Sequence, residues 1–225
     1  MNDKTLFFVL EEPSAGTAED KVGGTRAMPE EGFNVGEAPR CPRCGRFIGS
    51  LAWLPPYRVE IETWGREFGD LVIASGRSML ASDRFRQIYE RSGLKGLSGF
   101  EPVEIVKITR HRKLRGDPPK YFKVNVARSQ TTEDQTASGV EWSEEATSFC
   151  PECLFPKEGV VKRWKKVAIR PETWQGEDIF IPRGGGGIIT SRRFKEACEA
   201  NKIRNVLFVS AEKHAHDFYP WEKQT

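Results

Sequence analysis

The chain has 225 residues, of which 30% are charged, and its formal net charge at pH 7 is +3. Hydrophobic residues make up 38% and aromatic residues 11%, which is enough for a substantial core and excludes wholesale disorder. The near-balanced charge does not by itself indicate a nucleic-acid partner, and no stretch approaches the ~20 apolar residues that span a bilayer.

The amino-terminal segment lacks the pattern of a secretory signal. Its apolar run covers only residues 6–10 and ends in Glu11 and Glu12, and neither end of the chain carries a lipidation motif. We therefore expect a cytoplasmic protein. Within residues 1–40 we predict a first strand at Thr5–Leu10, followed by a long loop that is rich in Gly, Pro, Ala and Glu.

Four of the five cysteines form two CxxC pairs, Cys41 with Cys44 in CPRCG and Cys150 with Cys153 in CPECL. The two-residue spacer lets both sulfurs of a pair reach one metal ion, and four thiolates complete a closed tetrahedral Zn²⁺ site. A redox CxxC needs a thioredoxin-like context, and a cytoplasmic compartment disfavours disulfides. Four thiolates also leave no open position for catalysis, so the four cysteines predict a structural zinc.

Two segments are predicted to be capped helices. Ser82 and Ser191 are good N-cap residues, because a serine oxygen accepts a hydrogen bond from an otherwise unpaired helical N–H. Apolar residues follow each serine at helical spacing, and Gly93 is placed to end the first helix. Cys198 falls on the apolar face of the second helix, which predicts that it is buried.

Alternating apolar and polar residues predict strands at Val103–Thr109 and Tyr121–Val126. A turn signal at residues 116–119 separates them, so we predict an antiparallel hairpin with a wide loop. The polar and acidic stretch Arg128–Ser148 is predicted to be weakly structured. Together these elements indicate an α+β fold.

The chain also contains an internal repeat with an offset of 108 to 110 residues. The repeated segments, in chain order, are the two CxxC pairs, Glu62–Trp64 with Glu172–Trp174, Asp70–Ile73 with Asp178–Ile181, and Ser82–Phe85 with Ser191–Phe194. We therefore divide the chain into residues 1–40, a first repeat at 41–127, a polar linker at 128–149 and a second repeat at 150–225. Each repeat supplies one Cys knuckle, so one zinc-ribbon-like site would join the halves.

Other candidate sites are weaker. His214 and His216 could bind a metal but are predicted to be surface residues. Gly184–Gly187 is predicted to be a flexible turn, since the Lys-Ser/Thr of a phosphate-binding loop is missing.

Basic clusters at residues 107–123 and 157–170 suggest a nucleic-acid surface, although acids flank both. No Ser/His/Asp set, Cys/His set or paired carboxylates mark a catalytic centre. The chain is thus interpreted as a binding module and not an enzyme.

The CPRCG and CPECL pairs and the repeated Ser-x-Arg-Phe helix resemble the myxobacterial double-CxxCG motif family, over about residues 41–210. Leu154 replaces the second glycine of that motif. The resemblance implies a Sit-type immunity protein, which binds and neutralises a cognate polymorphic toxin. The alternatives are a zinc-ribbon protein that binds nucleic acid or acts in regulation, and a zinc-stapled structural protein without a toxin partner.

Overall fold

The structure, a computed structural model, describes residues 6–13, 24–74 and 78–220. In these residues the chain is a strand-rich α+β protein with three α-helices. The strands are β1 (Phe7–Glu11), β2 (Thr25–Pro29), β3 (Arg58–Thr63), β4 (Leu71–Ile73), β5 (Ser78–Ser82), β6 (Leu97–Pro102), β7 (Glu104–Arg110), β8 (Tyr121–Val126), β9 (Arg128–Thr132), β10 (Glu141–Trp142), β11 (Val161–Trp164), β12 (Ile179–Arg183), β13 (Ile189–Ser191), β14 (Leu207–Ser210) and β15 (His216–Asp217). The helices are α1 (Asp83–Arg91), α2 (Gln135–Ser138) and α3 (Arg192–Ala200). No helix in the described ranges combines the length and the apolar character that crossing a membrane requires.

The strands form four sheets. Two larger ones have the orders β4-β5-β8-β6 and β14-β1-β13-β12-β9, and two three-stranded ones have the orders β2-β3-β7 and β10-β11-β15. The largest cluster of buried apolar side chains joins the two larger sheets through helices α1 and α3. Phe85 of α1 and Phe194 of α3 are fully buried there, and their ring centroids lie 6.1 Å apart.

Both predicted helices and their caps are confirmed. The hydroxyl oxygen of Ser82 accepts from the backbone N–H of Phe85, and that of Ser191 accepts from the N–H of Phe194. Gly93 follows the end of α1 with a φ of +60°, a conformation that glycine adopts without strain.

The predicted hairpin is wrong. Strand β7 pairs in parallel with β3, whereas β8 pairs antiparallel with β5 and β6 in another sheet. Alternation identified the strands, but it does not identify a strand's partner, and the connecting residues 111–120 are long enough to carry the chain to a second sheet.

Two segments predicted to lack structure contain strands. Strand β2 lies within residues 11–40, and the stretch Arg128–Ser148 contains β9, α2 and β10. The buried residues of β9 are Ser129, Thr131 and Thr132, whose polarity hides the strand from a hydrophobicity pattern. Ser129 and Thr131 bond to the carboxylate of Glu177, which satisfies their buried hydroxyls.

The two larger sheets share one pattern of strand pairing. Leu71 lies opposite Ala81 in the first sheet, and Ile179 lies opposite Thr190 in the second. The order β4-β5-β8-β6 therefore has its counterpart in β12-β13-β1-β14. The third strands differ in origin, because β8 lies in the same part of the chain as β4, β5 and β6, whereas β1 lies far ahead of β12, β13 and β14.

Candidate metal centre

The structure brings the sulfurs of Cys41, Cys44, Cys150 and Cys153 together, all within 4.8 Å of one another. The Cys41 and Cys150 sulfurs lie 3.9 Å apart, and those of Cys44 and Cys153 lie 3.7 Å apart. No disulfide joins them. A tetrahedral zinc with Zn–S bonds of about 2.3 Å separates its sulfurs by roughly 3.8 Å, so the four cysteines fit the ion.

Each pair is carried by a tight backbone turn. In the first knuckle the Gly45 N–H donates to the Cys41 carbonyl over 2.9 Å, and in the second the Leu154 N–H donates to the Cys150 carbonyl over 2.8 Å. Gly45 has a φ of +72° and Leu154 a φ of +63°. Leu154 therefore adopts the left-handed backbone that favours glycine, so the knuckle geometry is kept in spite of the substitution.

The thiols differ in their tendency to ionise. Hydrogen bonding from the backbone N–H of Cys153 is the main cause that lowers the pKa of Cys150 to about 7. Burial opposes ionisation of Cys41, but backbone N–H donors and neighbouring thiols outweigh it and lower its pKa. Burial raises the pKa of Cys153 to about 12. A bound cation would favour the thiolate at all four positions.

The three histidines do not belong to the four-cysteine group. The imidazole of His214 accepts from the Trp164 indole N–H at 3.2 Å and contacts Glu11 at 2.8 Å, while His216 packs beside the same indole. His111 contacts Glu62 at 2.7 Å and stacks on Trp64. Among the described residues, the four cysteines are the one group of three or more metal-binding side chains that converges.

Cys198 is a core residue, as predicted. Its side chain packs in the largest apolar cluster, and burial raises its pKa to about 12. This thiol is therefore unreactive and separate from the four-cysteine group.

Two buried carboxylates, Asp70 and Asp178, were not singled out from the sequence. Asp70 accepts from the Ser82 hydroxyl at 2.9 Å and from Arg84 at 2.7 Å. Asp178 accepts from the Ser191 hydroxyl at 2.8 Å and from Arg193 at 2.9 Å. The sequence does contain a pattern that relates these residues. Each aspartate begins a repeated apolar segment, and each Ser-x-Arg begins a repeated helix.

The two arginines also link the helices reciprocally. Arg84, at the start of α1, donates to the carbonyls of Asn201 and Lys202 at the end of α3. Arg193, at the start of α3, donates to the carbonyls of Ser92 and Gly93 at the end of α1. A cation at a helix carboxyl terminus satisfies unpaired carbonyls, so each half of the molecule caps the other.

The four sheets and the four converging cysteines define a strand-rich α+β protein with one metal-type site among its described residues. A family model described as the Immunity protein family (Imm11) matches residues 58–213, and the chain belongs to that family. The resemblance to immunity proteins is thereby confirmed at the level of the class. A search of curated proteins finds no match. The matched range includes the second CxxC pair but not the first.

Proposed function

We propose that this chain is an immunity protein that binds a cognate polymorphic-toxin domain in the cytoplasm. It neutralises the toxin by stoichiometric occlusion of the toxin's active site or substrate path. The family match over residues 58–213 carries this proposal, since immunity proteins act on toxin proteins. A closed four-thiolate metal site agrees with binding and not catalysis, because it offers no position to a substrate.

The proposed cofactor is one structural Zn²⁺ held by Cys41, Cys44, Cys150 and Cys153. The spacing of the sulfurs and the matching knuckle turns support it. When bound, the ion supplies a crosslink between two parts of the chain that are 105 residues apart. Its role would be to hold the two knuckles, and the surface around them, in one arrangement.

The proposed architecture is an internal duplication, residues 41–127 and 150–225, in which the sheet of the second half takes its third strand, β1, from residues 1–40. Three observations support it: the shared register of the larger sheets, the matched Asp-Ser-Arg contacts and the reciprocal helix caps. Strand β1 completes the sheet of the second half, whereas β8, which completes that of the first, belongs to the first half itself. The ion and strand β1 would then act together to make the molecule one folding unit.

Co-expression with the toxin encoded beside this chain tests the function. We expect survival with the chain present and death without it, and a nanomolar or tighter complex, about −12 kcal/mol, because an inhibitor at low copy number must hold its target. A stable interface of this kind buries at least ~1,200 Å². Death at an unchanged rate, with a well-folded chain present, would refute the proposal.

The alternative is a nucleic-acid-binding role through the basic segment at residues 107–123. Within the described fold, Lys107 pairs with Glu60 at 2.8 Å and His111 lies against Glu62. Lys123 is buried near Glu101, and burial lowers its pKa. These contacts reduce the positive charge presented to solvent, so this segment favours a nucleic-acid partner less than its composition suggests.

A further inference from the structure

A cleft of about 1020 Å³ opens beside the four cysteines, between the two knuckles. Its lining includes four cationic side chains, Arg40, Arg43, Arg46 and Lys157, against a single acidic residue, Glu158. Unlike Lys107 of β7, which pairs with Glu60, the side chains of Arg43 and Lys157 have no ion-pair partner in the described part of the chain. The cleft is therefore a place where positive charge is not neutralised by neighbouring carboxylates.

A zinc–thiolate centre would offset only part of the positive charge of the cleft. A zinc ion with four thiolates carries a net charge of −2, which two nearby cations can offset. Arg40 donates to the Gly45 carbonyl and Arg46 to the Pro156 carbonyl, so both lie across the knuckles. Arg43 and Lys157 remain, and both face an open cleft.

The same region carries more than half of the exposed large hydrophobic side chains in the described residues. Of the eleven large hydrophobic side chains that are clearly exposed in the described residues, six lie on the two knuckle arms, residues 34–54 and 149–160. They are Val35, Phe47, Leu51, Leu54, Phe149 and Val160. Phe47 is 55% exposed and Phe149 45%, and both line the cleft. Exposed aromatic rings beside unpaired cations are typical of a protein-binding surface.

The geometry points to this cleft as the surface that binds the toxin, and to an acidic segment of the toxin, bearing apolar side chains, as its occupant. This inference rests on the proposed function. A cleft lined by two exposed phenyl rings and one carboxylate favours a folded acidic protein over a nucleic-acid backbone, which would be bound by a continuous basic surface. The first arm, residues 34–54, lies outside the range that the family model matches, whereas the second arm, residues 149–160, lies inside it. The cleft therefore combines the region that the family model matches with an arm outside it.

The test compares two cleft variants and two control variants in binding to the toxin domain encoded beside the chain. The first combines Arg43→Glu with Lys157→Glu, and the second combines Phe47→Ala with Phe149→Ala. The charge control combines Lys113→Glu with Lys120→Glu, two exposed cations of the basic loop, and the apolar control is Leu207→Ala, 38% exposed on β14. Melting temperature and zinc content verify that each variant is folded.

We expect both cleft variants to weaken the complex at least 30-fold, or about 2 kcal/mol, and to reduce survival, while the controls stay within threefold of wild type. The charge variant should act mainly by slowing association, and salt should slow the wild type in the same way. Cleft variants that bind like wild type would overturn the site but leave the function intact. A wild-type chain that neither binds nor protects overturns both. Binding of RNA by the wild type at physiological salt, lost in Arg43→Glu with Lys157→Glu, would make the cleft a nucleic-acid site instead.

Discussion

At the scale of single residues, the buried carboxylates of Asp70 and Asp178 each accept several hydrogen bonds. Each carboxylate is at most 2% exposed, and each accepts from a helix-capping serine and from an arginine. Each also accepts from a backbone N–H of the other half, Arg204 for Asp70 and Lys95 for Asp178. Such buried acceptors have several donors, so their loss leaves several groups without a partner.

We expect Asp70→Asn and Asp178→Asn each to lower the free energy of unfolding by at least about 2 kcal/mol, because hydrogen bonds to a buried charge are lost. Glu90→Gln is the control, since the Glu90 to Arg86 pair is exposed on one helix and such pairs contribute only about 0.3–0.5 kcal/mol. Urea denaturation measures both. Equal effects at the buried and exposed positions would contradict this account.

Glu133 is a buried acid with few donors. It is 7% exposed, and its carboxylate lies so close to Gly185 that a Cβ there would come within 2.1 Å of it. Burial raises its pKa from 4.5 to about 7. The folded state therefore holds this proton to higher pH than the unfolded state does, and stability falls as pH rises from about 4.5 to about 7.

Replacing Glu133 by Gln should remove this dependence, since the amide resembles the protonated acid. At pH 8 we expect the variant to be more stable than wild type by up to about 3 kcal/mol, and near pH 4.5 we expect no difference. Denaturant melts across this pH range measure the change. A difference that does not vary with pH would show that Glu133 is not the titrating group.

At the scale of elements, each knuckle is a short turn that cannot form a core by itself, because its buried centre consists mainly of cysteines. We expect Cys41→Ser and Cys150→Ser each to lose zinc and to lower the melting temperature by more than 10 °C, since structural zinc contributes directly to folding. Cys198→Ala is the control, as this thiol lies in the core away from the knuckles. Metal analysis and thermal melts decide the result, and wild-type melting of a zinc-free variant would refute a structural role.

Features that depend on neighbouring residues could be predicted from the sequence. The serine caps of α1 and α3 and the two knuckles are set by contacts within about five residues, and their positions follow from residue type. The four converging cysteines could be paired because the repeat offset related one knuckle to the other.

Pairing between distant strands could not be predicted in this way. Strand β8 alternates like one arm of a hairpin with β7, yet it pairs with β5 and β6. The alternation of apolar and polar residues within a strand does not identify the strand with which it pairs. Strand β9 buries hydroxyls instead of apolar groups, because the Glu177 carboxylate satisfies them. The cleft depends on two arms separated by about a hundred residues, so no local pattern describes it.

At the scale of the whole molecule, a cut between β7 and β8 separates each of the two larger sheets from one interior strand. We expect a chain divided in the exposed loop at Gly116–Asp117 to give two fragments that are each unfolded, because fragment 1–116 lacks β8 and fragment 117–225 lacks β1. Mixing the fragments with zinc should restore a cooperative melt. Circular dichroism measures this, and a fragment 1–116 that melts cooperatively by itself would contradict the need for β8.

The position of β1 also bears on how the protein is made. This strand leaves the ribosome well before its neighbours β13 and β14, which lie about 180 to 200 residues later in the chain. At about 5–20 residues per second, synthesis leaves β1 unpaired for roughly 10–40 s. Ribosome-arrested chains should therefore stay sensitive to protease at Phe7–Glu11 until residue 210 has emerged, and early protection would contradict this. Under the proposed function, a newly begun chain gives no protection during that interval, so a cell that meets the toxin would have to hold finished copies already.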